Sequence, residues 1–172
     1  INKKLFAAIP ESDVRRGWFL DAECNSVGLS KKQLSYVQGS AKCPPYTQVK
    51  YAAMGDEMGT DNNACDIPLM RIEEMYYIMI EAQAMKGDAA GAVELLNKFV
   101  NAYRDTEYLC EATTKEEVQE AVWNQRRIEF WGEGLSWFDI KRLNKGVNRL
   151  GGGFPETAVF NFAPNAPELL LP

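Results

Sequence analysis

Residues 124–145, NQRRIEFWGEGLSWFDIKRLNK, constrain this chain more than any other stretch. Val122, Trp123, Ile128, Phe130 and Trp131 recur at helical spacing before Gly132-Glu133-Gly134, and Leu135, Phe138, Ile140 and Leu143 recur after it. The two glycines can take backbone angles that other residues resist. The pattern predicts two helices meeting at a tight corner. A surface loop would not carry so much apolar mass, so Trp123, Phe130, Trp131, Trp137 and Phe138 are expected to enter the core. Arg126, Arg127, Glu129, Glu133, Asp139 and Arg142 crowd the same corner. They are expected to form a structural charge network that ties the two helices to their neighbours, with Asp139 on Arg126 or Arg127.

A helical hairpin is predicted upstream, over residues 66–104. Asp66 reads as its N-cap, Pro68 suits a first turn, and Glu73-Glu74 favour the positive helix end. Ile72, Met75, Tyr76, Met79, Ile80, Ala82 and Met85 form an apolar stripe. Lys86-Gly87 ends that helix and Asp88 caps the next, whose buried face is Ala92, Val93, Leu95, Leu96, Phe99, Val100 and Tyr103. Such a pair is the unit of a tetratricopeptide-like array and cannot bury its faces alone. Thr114-Lys115-Glu116-Glu117 is a capping box that opens the helix running to Phe130. Residues 1–66 are loop-rich: Asn2 to Ile9 suits a short helix stopped by Pro10, and Trp18–Asp21 and Tyr46–Tyr51 suit strands. Residues 146–172 form an extended tail. The fold class is therefore mainly α, a tetratricopeptide-like hairpin plus a bent helix pair with minor β, in three parts: 1–66, 67–145 and 146–172.

Several function classes are excluded. A net charge of −5 argues against nucleic acid as a partner. No apolar run approaches the ~20 residues that span a bilayer. The chain begins with Ile1 and ends at Pro172, so it is taken as a piece of a longer protein whose targeting signals lie elsewhere. Histidine is absent, which removes Ser-His-Asp and Cys-His catalysis. Cys24, Cys43, Cys65 and Cys110 show no C-x-x-C spacing. Buried free thiols and a disulfide such as Cys24–Cys43 or Cys43–Cys65 are both open. Gly151-Gly152-Gly153 lacks the Lys-Ser/Thr of a phosphate loop. Asp56, Glu57, Asp61, Asn62, Asn63 and Asp66 could supply oxygen to calcium, but their spacing is not that of an EF-hand, and a solvated acidic loop is expected. No cofactor and no metal site are expected.

The corner resembles the C-terminal signature of the SusD/RagB family, roughly E-R-R-x-E-[LF]-x-x-E-G-x-R-[WF]-x-D-[LI]-x-R. Arg126, Arg127, Glu129, Phe130, Glu133, Gly134, Trp137, Asp139, Ile140 and Arg142 fall on it in register. Gln125 replaces the usual Glu and Ser136 the usual Arg. Arg71, Glu74, Glu81-Ala82, Gly87-Asp88, Leu96-Asn97 and Arg104 resemble the same family, and Asp13-Val14-Arg15 does so more loosely. The resemblance implies the C-terminal portion of a Bacteroidetes outer-membrane, surface-exposed lipoprotein of polysaccharide utilisation. Such proteins are not enzymes. They capture oligosaccharides, or in some members peptides, and deliver them to a SusC-like TonB-dependent transporter. The rest of the same polypeptide, with its N-terminal helical repeats, would pack on the hairpin.

Sugars stack on aromatic rings and hydrogen-bond to polar side chains. Trp18, Phe19, Tyr46 and Tyr51, in the loop-rich part where binding residues tend to be displayed, are the candidate ligand contacts. A glycosidase would need a carboxylic acid with a raised pKa. Glu129 and Glu133 stand four apart but among arginines, which favours ion pairing. A helical-repeat scaffold that binds protein is the alternative class.

Overall fold

The structure, a computed structural model, describes residues 1–52, 58–59, 65 and 67–169. Its centre is three helices: α3 (Ile72–Met85), α4 (Ala89–Tyr103) and α5 (Lys115–Glu129). Two short helices precede them, α1 (Lys3–Ala7) and α2 (Lys31–Ser35). The corner helix α6 (Leu135–Arg142) follows, and then a two-stranded antiparallel sheet of β1 (Val147–Asn148) and β2 (Asn161–Phe162).

Gly87 turns the α3–α4 hairpin at φ +101, where a side chain would be strained, and the Asp88 carboxylate accepts from the Gly91 amide at 2.9 Å. Helix α5 opens on the Thr114–Glu117 capping box, both halves of which are made. Tyr77, Ile80 and Ala84 of α3 meet Ala92, Leu96, Phe99 and Val100 of α4 and Val118 and Val122 of α5 in the main core. Phe130 closes it, edge-on to Tyr77. A second cluster joins α1 to α5 through Phe6, Ile9, Phe19 and Ile128. A third, of Leu20, Val37 and Val49, sits under the N-terminal loops.

Helix α3 departs from expectation at its start. Asp66 lies outside the described residues, as do the acidic positions Asp56, Glu57, Asp61, Asn62 and Asn63. The N-cap is Arg71, with no side-chain cap, and Pro68 precedes the helix. The buried stripe is also rotated. Ile72, Met75, Met79 and Met85 are exposed, whereas Tyr77, Ile80 and Ala84 face the core. Position 77 wins because its ring fits between Phe99 and Phe130. Tyr103 on α4 is exposed as well.

Trp18–Asp21 and Tyr46–Tyr51 do not form strands. They run side by side through Leu20 N–H to Thr47 O, Tyr46 N–H to Leu20 O and Val49 N–H to Trp18 O, which make one isolated bridge, Phe19 with Gln48. The tail, expected as simply extended, turns at Gly151 and Gly153, both with positive φ, and pairs Val147 with Phe162. All four cysteines are free thiols, and Cys110 alone is buried. No helix among the described residues is long and apolar enough to cross a membrane.

Candidate functional site

The structure holds a buried charge network and an aromatic-lined cavity. The network centres on Glu129, at the end of α5, whose side chain is 0% exposed. Arg104 grips it with two bonds, Nε to Oε2 at 2.8 Å and Nη2 to Oε1 at 2.9 Å. Arg71 donates to the same carboxylate, and Arg15 Nη1 approaches Oε2 at 3.3 Å. These guanidiniums come from three remote segments, not from Arg126, Arg127 or Arg142. Arg127, two residues from Glu129 on α5, points around the cylinder. Arg126, three residues away, is taken up by Asp139 and Glu74 instead.

Each arginine has a second anion. Arg15 is held by Asp13 at 2.6 Å and donates to the Gln125 amide oxygen at 2.6 Å. So Gln125, a departure from the family signature, still supplies an acceptor. Arg104 and Arg71 share Glu73, at 2.7 and 3.2 Å. Arg71 also reaches Glu133 at 2.7 Å, and Lys50 bonds the Glu129 carbonyl at 2.7 Å and the Glu133 carboxylate. A second node is Asp139, 2% exposed, which accepts from Arg126 Nε and Arg142 Nε, each at 2.7 Å. Arg142 then grips Glu81 at 2.6 and 2.9 Å. Arg127 joins neither node and lies against the Trp123 ring, 5.3 Å from its centroid.

Burial alone would raise the Glu129 pKa. The Arg104 hydrogen bonds and the charges of Arg104, Arg15 and Arg71 outweigh it and hold the carboxyl below its ordinary value. A carboxylate so held cannot donate a proton near neutral pH, and it faces arginines, not an open sugar site. Glu129 therefore does not supply the general acid that a glycosidase needs. Among the described residues no group of three or more Cys, Asp or Glu could hold a metal ion.

The expected ligand contacts are placed as follows. Phe19 is 1% exposed and packs edge-on to Trp131, so it presents no face to a ligand. Trp18 is half-buried, with Lys50 Nζ 4.8 Å from its ring centroid; the same ammonium lies 5.4 Å from the Tyr51 ring. Tyr46 packs against Phe6 and lies beneath Lys3. Trp18 and Tyr51 thus flank Lys50 of the charge network, whereas Phe19 and Tyr46 belong to the cluster between α1 and α5.

Corner aromatics behave unevenly. Trp123 and Phe130 are buried and Trp131 is partly so, but Phe138 is 63% exposed and Trp137 36% exposed. Trp137 instead borders a cavity of about 630 Å³ between α5, α6 and the tail. Trp123, Phe154, Phe160 and Phe162 line it with Trp137, and Ser136, Asn2, Asn148, Arg127, Lys145 and Arg149 supply polar groups. The Phe160 and Phe162 rings stand 4.8 Å apart. An aromatic lining with a few convergent polar groups is the chemistry of a small-ligand site, sugars included. The sequence hid it because its rings come from α5, α6 and a tail that looked featureless; the signal was Phe154, Phe160 and Phe162 following an exposed turn.

A SusD-like protein, P38, from Formosa agariphila is 30% identical over 94 residues, 50% of this chain. A solved SusD-like carbohydrate binding protein from Bacteroides vulgatus superposes with a TM-score of 0.61 over 86% of this chain, at 24% identity. The chain spans only 18% and 28% of those two proteins, respectively. The description of the SusD family matches residues 25–166, a stretch that contains the hairpin, most of the Glu129 network and the whole corner; the chain belongs to the SusD family.

Proposed function

We propose that this chain is the C-terminal portion of a surface glycan-binding protein that captures oligosaccharides without cleaving them and passes them to a SusC-like TonB-dependent transporter. The observation that carries this is the family match over residues 25–166. The Bacteroides vulgatus neighbour, described as carbohydrate binding, supports the ligand class. The aromatic cavity is the contact surface that best suits a sugar, with Trp137 as its exposed platform.

The same proposal puts the protein on the outer membrane as a lipoprotein. The parts 1–66, 67–145 and 146–172 then form one C-terminal unit. N-terminal helical repeats of the same polypeptide cover the exposed face of α3. Ile72, Met75, Ile78, Met79 and Met85 are all at least 40% exposed there, more than one helix leaves to water without reason. A groove of about 520 Å³ between α3 and α6, lined by Ile78, Ala82, Met85, Leu135 and Phe138, continues that face.

Calorimetric titration of the full-length protein against plant, host and microbial glycans tests the proposal, with Trp137→Ala, Trp18→Ala and Tyr46→Ala alongside. Binding without turnover, weakened by Trp137→Ala, is expected. Weakening by Trp18→Ala or Tyr46→Ala alone moves the contact surface to the loops. Turnover, or no binding to any glycan, overturns the proposal; binding of peptides in place of glycans points to peptide capture.

A further inference from the structure

The aromatic cavity carries a charge pattern opposite to that of the chain. The sequence has 24 acidic and 19 basic residues. The cavity is lined by Arg127, Lys145 and Arg149 and, among the described residues, by no aspartate or glutamate. Lys145 is already paired with Glu120. Neither the Arg127 nor the Arg149 guanidinium has a hydrogen bond or ion pair among the described residues. Each is held instead by rings: Arg149 lies 3.7 Å from the Phe154 centroid and 4.6 Å from that of Phe160, and Arg127 lies 5.3 Å from that of Trp123. Such stacking fixes a guanidinium plane while leaving its N–H edge unspent.

Burial works against the charge on Arg127 and lowers its pKa, with Glu120 offsetting it only in part. An anion in the cavity would reverse that penalty. Trp137, 36% exposed, offers ring surface beside the two cations. Ser136 adds a hydroxyl to the cavity wall.

We propose that this cavity binds an acidic sugar residue, stacking its ring face on Trp137 and placing its anionic group on Arg127 and Arg149. The inference rests on the glycan-capture function and narrows its ligand. Carboxylates and sulfate esters share the needed chemistry, since both offer paired oxygens to a guanidinium edge.

The experiment is calorimetric titration of the full-length protein with three probes: oligogalacturonate, a sulfated galactan oligosaccharide and a neutral galactan oligosaccharide. At least one acidic probe is expected to bind about tenfold or more tighter than the neutral one, with affinity falling as salt rises. Which acidic probe binds separates carboxylate from sulfate recognition. Arg149→Gln and Arg127→Gln are each expected to lower acidic-probe affinity by about tenfold with unchanged melting, and Arg149→Lys to retain part of it. Trp137→Ala should weaken all probes that bind. Neutral binding equal to acidic binding, or acidic binding untouched by both arginine variants, overturns the inference and leaves glycan capture standing. No binding of either acidic probe overturns the inference, and glycan capture falls only if the wider glycan panel also fails to bind. Should either variant misfold, the acidic-to-neutral ratio and the salt dependence of the unaltered protein still decide.

Discussion

Replacing Glu129 by Gln isolates one charge at the centre of the fold. The side chain is wholly buried and meets Arg15, Arg71 and Arg104. Glutamine keeps the shape and one acceptor oxygen but leaves three cations sharing a neutral group. Breaking a buried ion pair by removing one partner costs about 3–5 kcal/mol. The lower end applies, because Asp13, Glu73 and Glu133 still face these arginines. A loss of about 3 kcal/mol corresponds to a melting temperature lower by about 6–12 °C for a chain of this size. The pH dependence sharpens the test. Folding lowers the Glu129 pKa below its ordinary 4.5, so the folded state binds that proton more weakly than the unfolded one. The stabilisation is complete above the unfolded value and drains as pH falls through the lower folded value. Urea denaturation of both proteins should show a constant gap over about pH 5–7 that shrinks below about pH 4.5. A gap under about 1 kcal/mol at neutral pH, or one that widens in acid, refutes the central role given to this carboxylate.

Asp139→Asn removes the anion between Arg126 and Arg142. With Arg142 partly exposed, it should cost about 3 kcal/mol by thermal melting with ligand affinity unchanged; equal melting with lost binding would put Asp139 in the binding site. Gly134 sits at φ +81 with nothing within 4 Å of an added Cβ. Gly134→Ala should therefore cost only the conformational penalty of about 1–2 kcal/mol in urea denaturation, and Gly134→Asn less. Met75→Gln with Met79→Gln tests the proposal that protein covers the exposed face of α3. In the full-length protein the pair should cost at least about 2 kcal/mol, and an unchanged melting temperature would mean that water, not protein, covers that face.

Elements set by local chemistry were legible in the sequence. The Thr114 capping box, the Gly87-Asp88 turn and the glycine corner depend on neighbours within a few residues, and each stands where its residues put it. What depended on distant partners was not legible. The rotation of α3 follows from Phe99 and Phe130, which meet Tyr77 only in three dimensions. The partners of Glu129 lie 25, 58 and 114 residues away. Helical spacing could mark Glu129 and Arg126 as clustered, but it could not say that Arg104 and Arg15, not the adjacent arginines, would close on that carboxylate. The aromatic cavity was invisible for the same reason. Trp137 carried a helical signal that suggested core, and the tail that completes the cavity has no periodicity at all.

The distances in sequence that Glu129 spans bear on how the protein comes apart. A hub joining residues 13–15, 71–73, 104 and 129 exists only when every loop between them is closed, so its formation belongs late in folding. Once formed, it makes the irregular first segment and the helical core one cooperative unit. Amides around Arg15, though in a short 3-10 turn, should exchange with solvent on the slow timescale of α4 and α5, whereas the β1–β2 hairpin, outside the hub, opens independently.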